Sequence, residues 1–410
     1  MASDKLYDLM VQYKKTKLWT KLWDNHLFAI QLSDGQVGFI SVMGRVGVSC
    51  SVCLYVGEKA FASHRYLAIN KIQNTNDAYK VLFMVDCLQA FLASKDELIE
   101  EELAEANSYS KRHNVTFRGK NGYPQFLKYR PNYMPWPVKD AADDQHMQEA
   151  LELCIAISDM KKPEDKGIYE ITFPTDGDMP LFSPSGELLR RIRVPDTEVA
   201  EETYEPVFQD ELLMTRLKKL PHKKTWESVL TRSYSPVQED PQEAPYYPMM
   251  ALMLEPKEPY ALPVNMVENF EEHPENLIRK IADSWIEYGS IPNKIKCADT
   301  RTKLFFQDIA HKLNIKLVVE SPLFALKEFE DSLQTFLVKD IGIKNIRMDV
   351  DFVKYKYTGR INVPDSYYDL YEHFNTTANE LGLNIQTNDQ AKAIIGALCC
   401  CDFTGRTSRP

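Results

Sequence analysis

The dipeptide Asp34-Gly35 lies between two apolar runs, Leu27 to Leu32 and Gln36 to Met43. Asp-Gly supplies the positive φ angles of a tight hairpin turn, so the two runs read as antiparallel strands. Gly44-Arg45-Val46-Gly47 then punctuates the entry to Val48 to Val56. The expectation is a three-strand antiparallel meander. Upstream, Lys5 to Trp23 carries Leu6, Leu9, Met10, Tyr13 and Leu18 on one face, the spacing of an amphipathic helix.

After the meander, Glu58 to Ile72 reads as a helix, and Val81 to Leu92 as a buried strand or a short helix, with the strand favoured. Ser94-Lys95-Asp96-Glu97 has the form of a capping box, predicting a helix from there to about Lys111. A Gly- and Pro-punctuated stretch, Val115 to Pro137, reads as a long loop, and a helix is expected from near Asp140 to near Lys161. Gly167 to Val194 is rich in strand formers broken by Thr175-Asp176-Gly177 and Ser183-Pro184-Ser185-Gly186, which predicts a small β meander.

Between Val194 and Thr215 there are seven acids and no Lys or Arg, which marks a domain boundary. A second extended connection is expected from Pro236 to Pro248, with its four prolines. Beyond it, Met249 to Leu254, Glu275 to Tyr288, Lys294 to Ala298, Arg301 to Leu313 and Ile315 to Val319 alternate strand and helix, the pattern of a parallel sheet. Leu326 to Val338 continues as a helix. The fold class that follows is mixed α/β and α+β. An N-terminal α+β domain (1–195) holds the meander with its helices and an alternating α/β domain follows (206–340). A C-terminal strand with helices (341–410) is expected to pack on the latter.

The formal charge of −10 weighs against a surface that tracks nucleic acid or anionic membrane throughout, so any anion-binding surface must be local. No apolar run approaches the roughly 20 residues of a membrane-spanning helix, and no h-region of a signal peptide opens the chain. Eight cysteines are too dilute for a disulfide scaffold. A soluble, cytoplasmic protein with reduced thiols is the expectation.

Two blocks carry a family resemblance. The first is Trp19 to Phe61, WTKLWDNHLFAIQLSDGQVGFISVMGRVGVSCSVCLYVGEKAF. The second runs from Phe117-Arg118-Gly119-Lys120-Asn121 through Pro124, Tyr129-Arg130-Pro131 and Tyr133 to Pro135-Trp136. Both resemble a family of uncharacterised bacterial proteins known only as domains of unknown function, with a weaker similarity from about Leu212 to Val319. The resemblance implies a bacterial, intracellular setting and an N-terminal α+β part followed by an α/β part. It implies no catalytic residue.

Catalytic signatures are not found: there is no Walker A loop, G-x-G-x-x-G, G-x-S-x-G or H-E-x-x-H. Cys50 and Cys53 form a C-x-x-C, but in a strand residues three apart point to opposite faces, so packed thiols are the reading. Cys399 to Cys401 read as packing at a terminal helix. Asp176 and Asp178 in a PTDGDMP turn could hold a hard cation or simply make the turn. Asp349 and Asp351 alternate as on a half-exposed strand. No cofactor and no metal are expected.

One window has a composition of its own. Residues 107–139 hold seven Lys or Arg, seven aromatics and no acid. Cations attract anions, while aromatic faces and prolines offer stacking or an extended-peptide groove. The competing reading is that the aromatics fill core under a loop and the cations pair with acids elsewhere, including those of 194–215. Arg118, Lys120, Asn121, Lys128, Tyr129, Arg130 and Trp136 are the candidate binding residues. The functional expectation is a non-enzymatic binding or protein-interaction protein, with a protein or anionic ligand at this window. The second candidate is an enzyme or accessory factor associated with nucleic acid or a phosphate ligand. Acidic and Pro-rich connections tend to be exposed, so limited proteolysis followed by mass spectrometry is expected to cut first within 195–206 or 236–248. First cuts within 27–56 would overturn the domain map.

Overall fold

The structure is a computed structural model. It describes residues 2–45, 47, 50–69, 83–159, 169–170, 177–199, 202–257, 260–267 and 270–340. The expected C-terminal strand and helices of 341–410, with Asp349, Asp351 and Cys399 to Cys401, lie outside these, as does Asp176. The chain divides into two compact units, whose described residues fall within 1–199 and 200–342.

The first unit opens with α1 (Asp4–Thr16), whose buried face is Leu6, Tyr7, Leu9, Met10 and Tyr13. Ser3 caps it by accepting the Leu6 amide at 3.2 Å. Strands β1 (His26–Gln31), β2 (Val37–Met43), β3 (Ser51–Val56), β4 (Cys87–Ala93), β5 (Tyr123–Tyr129) and β6 (Trp136–Pro137) pair antiparallel in sequence order. The short β7 (Tyr169–Glu170) joins the start of β1. On the far side of β1, β8 (Asp178–Phe182) runs parallel to it and β9 (Leu188–Arg193) returns antiparallel. The meander read from the sequence is therefore the middle of a wider, mixed sheet, ordered β6-β5-β4-β3-β2-β1-β8-β9.

Helices α2 (Gly57–Ile69), α3 (Glu100–His113) and α4 (Ala141–Ser158) complete the unit. Phe28, Ile30, Ile40, Val42, Val52, Leu54, Leu88 and Phe126 on one sheet face join α1, Ala106 and Tyr109 of α3, and Met147, Leu151 and Cys154 of α4 in one core. On the opposite face α2 stacks Phe61 on Phe39 (4.4 Å between centroids) and His64 beside Tyr55 (5.0 Å). Burial on both faces is why β1, β2 and β3 lack an apolar-polar alternation.

Two local expectations are corrected. Glu97 does take the Ser94 amide and hydroxyl, but that closure caps only a turn of 3-10 helix, Lys95–Glu97. The α-helix starts later, at Glu100, where Glu102 reaches back to the Ile99 amide at 3.1 Å. A short polar closure fixes one turn of chain and does not oblige the next residue to stay helical. Val115 to Pro137 is also not a long loop, because β5 within it pairs with β4 along its whole length.

In the second unit, α5 (Glu211–Leu217) leads to β10 (His222–Arg232), followed by β11 (Met249–Glu255), β12 (Tyr260–Ala261) and β13 (Asn265–Val267). Then come α6 (Glu275–Tyr288), β14 (Ile291–Cys297), α7 (Thr300–Lys312), β15 (Lys316–Val319) and α8 (Phe324–Asp340). The sheet order is β12-β11-β10-β14-β15, with β13 also on β11. β10 pairs parallel with β14 and β14 with β15, whereas β11 is antiparallel to β10, so the sheet is mixed rather than parallel. The sequence pattern missed β10, the central strand. Its first half is charged and exposed, and burial begins at Trp226. Trp226, Leu230, Ile295 and Cys297 face α6 and α7 on one side, while Val229, Met250 and Leu252 face Leu326 of α8 on the other.

The β1–β2 turn is tied to α4. Ser33 donates its amide (2.9 Å) and hydroxyl to Glu149, and His146 Nε2 lies 2.9 Å from Asp34 Oδ2. The Gln36 amide and side chain, with His146, hold the Asp34 carboxyl down to about 2. Burial works to raise Glu149, yet hydrogen bonds from Gln145 and Ser33 keep it below its ordinary value. A carboxyl depressed by folding adds stability above its unfolded pKa and loses it as pH falls through the folded value. The melting temperature is expected to drop between about pH 4 and pH 2, and less steeply in Asp34→Asn. Equal acid sensitivity of both proteins by circular dichroism would show the turn contributes nothing.

Candidate functional site

Strand β5 divides the basic and aromatic window into two corners. Arg118, Lys120 and Asn121 precede it, and Lys128, Arg130 and Trp136 lie at or beyond its end. Seven extended residues separate the corners by about 20 Å, so no single small ligand spans both.

The aromatics between them belong mostly to the core. Tyr109 stacks on Tyr7 (4.8 Å) and Phe117 (5.9 Å), and Phe126 meets Tyr7 edge-on (5.2 Å). Tyr123 packs on the same cluster. Tyr129 is buried on the opposite face, where its hydroxyl donates to Gln89 Oε1 at 3.1 Å. Gln89 in turn donates to Ser51 Oγ at 3.2 Å, a buried polar chain across β5, β4 and β3. The window also has acids beside it that its own sequence lacks: Glu101, Glu102 and Glu105 of α3 line a small crevice with Tyr7, Gln125 and Val138. Gln125 Nε2 donates to Glu102 Oε2 at 3.0 Å, and burial raises Glu105.

At the far corner, Lys128 Nζ sits 2.6 Å from Asp143 Oδ2 of α4. Asp86, just before β4, is raised by burial, with Lys128 and Arg130 opposing the shift and Asp143 adding to it. Arg130 lies over the Tyr133 ring at 3.9 Å, and Lys139 over Trp136 at 5.7 Å. Lys139 also approaches Glu101 (3.9 Å), and Arg112 pairs with Asp4. The acids that meet these cations come from α1, α3 and α4, within the same unit.

The near corner is assembled differently. The loop before β5 carries two left-handed residues, Gly119 (φ 78°) and Asn121 (φ 53°), and turns Lys120 and Asn121 towards Cys50. Asn121 Nδ2 donates to Cys50 Sγ at 3.4 Å. From the last turn of α1, Lys14 Nζ reaches the Gly122 carbonyl at 3.4 Å and also lies near the thiol. Burial pushes the Cys50 thiol up to about 11, with Lys120, Asn121 and Lys14 pulling against it. Both Lys14 and Lys120 are lowered, chiefly by desolvation. Arg118 is exposed on the same loop. The backbone is packed tightly underneath: a Cβ at Gly44 would come within 2.7 Å of Cys50 Cα.

Sequence reasoning singled out Arg118, Lys120 and Asn121 but missed Lys14 and set Cys50 aside. On α1, Lys14 is one of several exposed lysines, and nothing local distinguishes it. Cys50 lies in the main core while Cys53, on β3, is outside it. Among the described residues, no three His, Cys, Asp or Glu side chains are grouped to hold a metal, and no helix is long and apolar enough to cross a membrane. His64 is fully buried with neither ring nitrogen hydrogen-bonded, and burial brings it down to about 4, the state of a neutral packed ring.

Residues 4–172 match the model of a domain of unknown function, DUF7309, and residues 213–334 match that of another, DUF6930. The first match contains both Trp19–Phe61 and Phe117–Trp136. No curated protein and no solved structure matches the chain.

The two corners respond differently to charge reversal. Lys128→Glu would bring a third carboxylate to Asp143 and Asp86, and is expected to cost about 1–3 kcal/mol, between the exposed-pair and buried-pair limits. Arg130→Glu, at an exposed site, is expected to leave stability nearly unchanged. Urea denaturation of the two single variants checks this, and equal costs would contradict the ion-pair assignment.

Proposed function

We propose that this chain is a non-enzymatic binding protein, and that its N-terminal unit receives an anionic group at the corner formed by Lys14, Arg118, Lys120 and Asn121. The observation that carries the reading is that Lys14, on the Gly122 carbonyl, and the loop of Lys120 and Asn121, on Cys50, meet from elements far apart in sequence, with both ammonium groups lowered chiefly by desolvation and Glu97 opposing the shift at Lys120. Lys14 forms no ion pair among the described residues; its ammonium donates to a carbonyl. A phosphate or carboxylate placed between the two lysines would restore the favourable environment that partial desolvation removes. The Asn121 amide adds a neutral donor beside them.

A nucleic-acid-associated factor is the second reading, since phosphate chemistry is shared. The aromatic residues argue against it. Most pack in the core, and Tyr133 already has Arg130 over its ring, whereas single-strand binding uses open aromatic faces.

Calorimetric titration with pyrophosphate and with a heparin fragment tests the corner. The double variant Lys14→Glu/Lys120→Glu is expected to bind at least about tenfold more weakly at unchanged melting temperature, while Arg130→Glu binds as the parent does. For the heparin fragment, affinity is expected to fall with salt, with a slope about one unit shallower per lost contact. Parent-like binding by the double variant, or no binding by the parent, overturns the reading. Preference for a single-stranded oligonucleotide over both probes, lost in the double variant, moves it to the second.

A further inference from the structure

Strand β9 (Leu188–Arg193, LLRRIR) ends the sheet of the first unit, and among the described residues it pairs with β8 alone. Among the described residues no strand takes up the backbone N–H and C=O groups on its outer side. Five of its six residues are exposed and Ile192 is half-buried. Leu188 and Leu189 are 50% and 46% exposed.

The register places Arg191 and Arg193 on one face, across from Pro180 and Asp178, and Arg190 and Ile192 on the other, across from Leu181 and Met179. Arginines thus flank the edge on both faces. Arg191 is anchored by a hydrogen bond to the Asp178 carbonyl. Arg190 and Arg193 are exposed and form no ion pair among the described residues, even though Asp178 stands opposite Arg193.

We propose that the outer edge of β9 is a docking strand for an acidic, extended segment of a partner protein, which adds to the sheet beyond β9. Edge addition draws affinity from main-chain hydrogen bonds and specificity from alternate side chains. Here the side chains select charge. A second copy of β9 paired antiparallel on the same edge would set arginine against arginine, which is destabilising across strands. The edge thus guards against self-association and admits a strand of opposite sign. Leu188, Leu189 and Ile192 supply apolar contact for the residues between the acids.

The test is fluorescence anisotropy with the full chain and a short labelled peptide alternating Glu and Val. Three comparisons accompany it: the same peptide with alternate backbone amides methylated, a Lys-Val counterpart, and a labelled single-stranded oligonucleotide. The Glu-Val peptide is expected to bind, and to weaken at least about tenfold with Arg190→Glu/Arg193→Glu, with amide methylation, and with Lys in place of Glu. Both arginines are exposed, so the variant is expected to melt as the parent does; the methylated peptide tests strand addition without altering the protein. Absence of binding, or binding indifferent to amide methylation, overturns the proposal. So does an oligonucleotide that outcompetes the peptide and is lost in the same variant. The corner of Lys14 and Lys120 is untouched by these changes, so the two surfaces fail or succeed separately.

Discussion

The acidic residues of α4 hold the first unit together. Asp144 accepts the Ser3 amide (2.8 Å) and hydroxyl (2.7 Å), fixing the start of α1, and Gln148 also donates to it. One turn further on, Glu149 receives the amide and hydroxyl of Ser33, and His146 meets Asp34, fixing the β1–β2 turn. Asp143 takes Lys128 from β5. Successive residues of a helix turn by about 100°, so Asp143, Asp144 and Glu149 point in different directions and a single helix reaches a strand, α1 and a hairpin turn. Asp143, Asp144 and Glu149 are partly or largely buried, and leaving any of them unpartnered would cost more than the bond itself gains.

The candidate anion corner depends on that anchoring. Lys14 lies at the opposite end of α1 from Ser3, and its reach to Gly122 requires the helix to lie flat along the core through Leu6, Met10 and Tyr13. The corner is a consequence of how α1 is held at one end and how the loop before β5 turns at the other. Gly44 and Cys50 close the floor beneath it, where there is no room for a larger side chain.

The second unit is organised around β10. Leu230, on that strand, donates its amide to the Thr302 hydroxyl (3.0 Å) and accepts from Arg301 at 2.6 Å, which sets the start of α7 against the centre of the sheet. Asp299 caps the same helix by accepting the Thr302 amide at 2.6 Å. One threonine thus takes part in the helix cap and in contact with the central strand. The parallel strand order β10-β14-β15 follows from helices α6 and α7 covering one face while α8 covers the other.

What the sequence determined by itself was local. The Asp34-Gly35 turn, the buried face of α1, the Asp140 cap of α4 and the strand-helix alternation after residue 249 are set by residues within a few positions of one another, through φ preferences, periodicity and capping. Arg118, Lys120 and Asn121 were legible as candidates because composition is local too. The tertiary structure alone decided that β5 parts the window into two corners, that Tyr109, Phe117 and Phe126 turn inward onto Tyr7, and that α3 brings carboxylates beside a stretch with none. It also placed β10 at the centre of its sheet and β9 at the rim of the other. Strand pairing and ion pairing join residues far apart in the chain, and a strand's own sequence does not state its neighbours. Lys14 and Lys15 are alike in the sequence; only the packing of α1 against the β5 loop brings one of them beside Cys50.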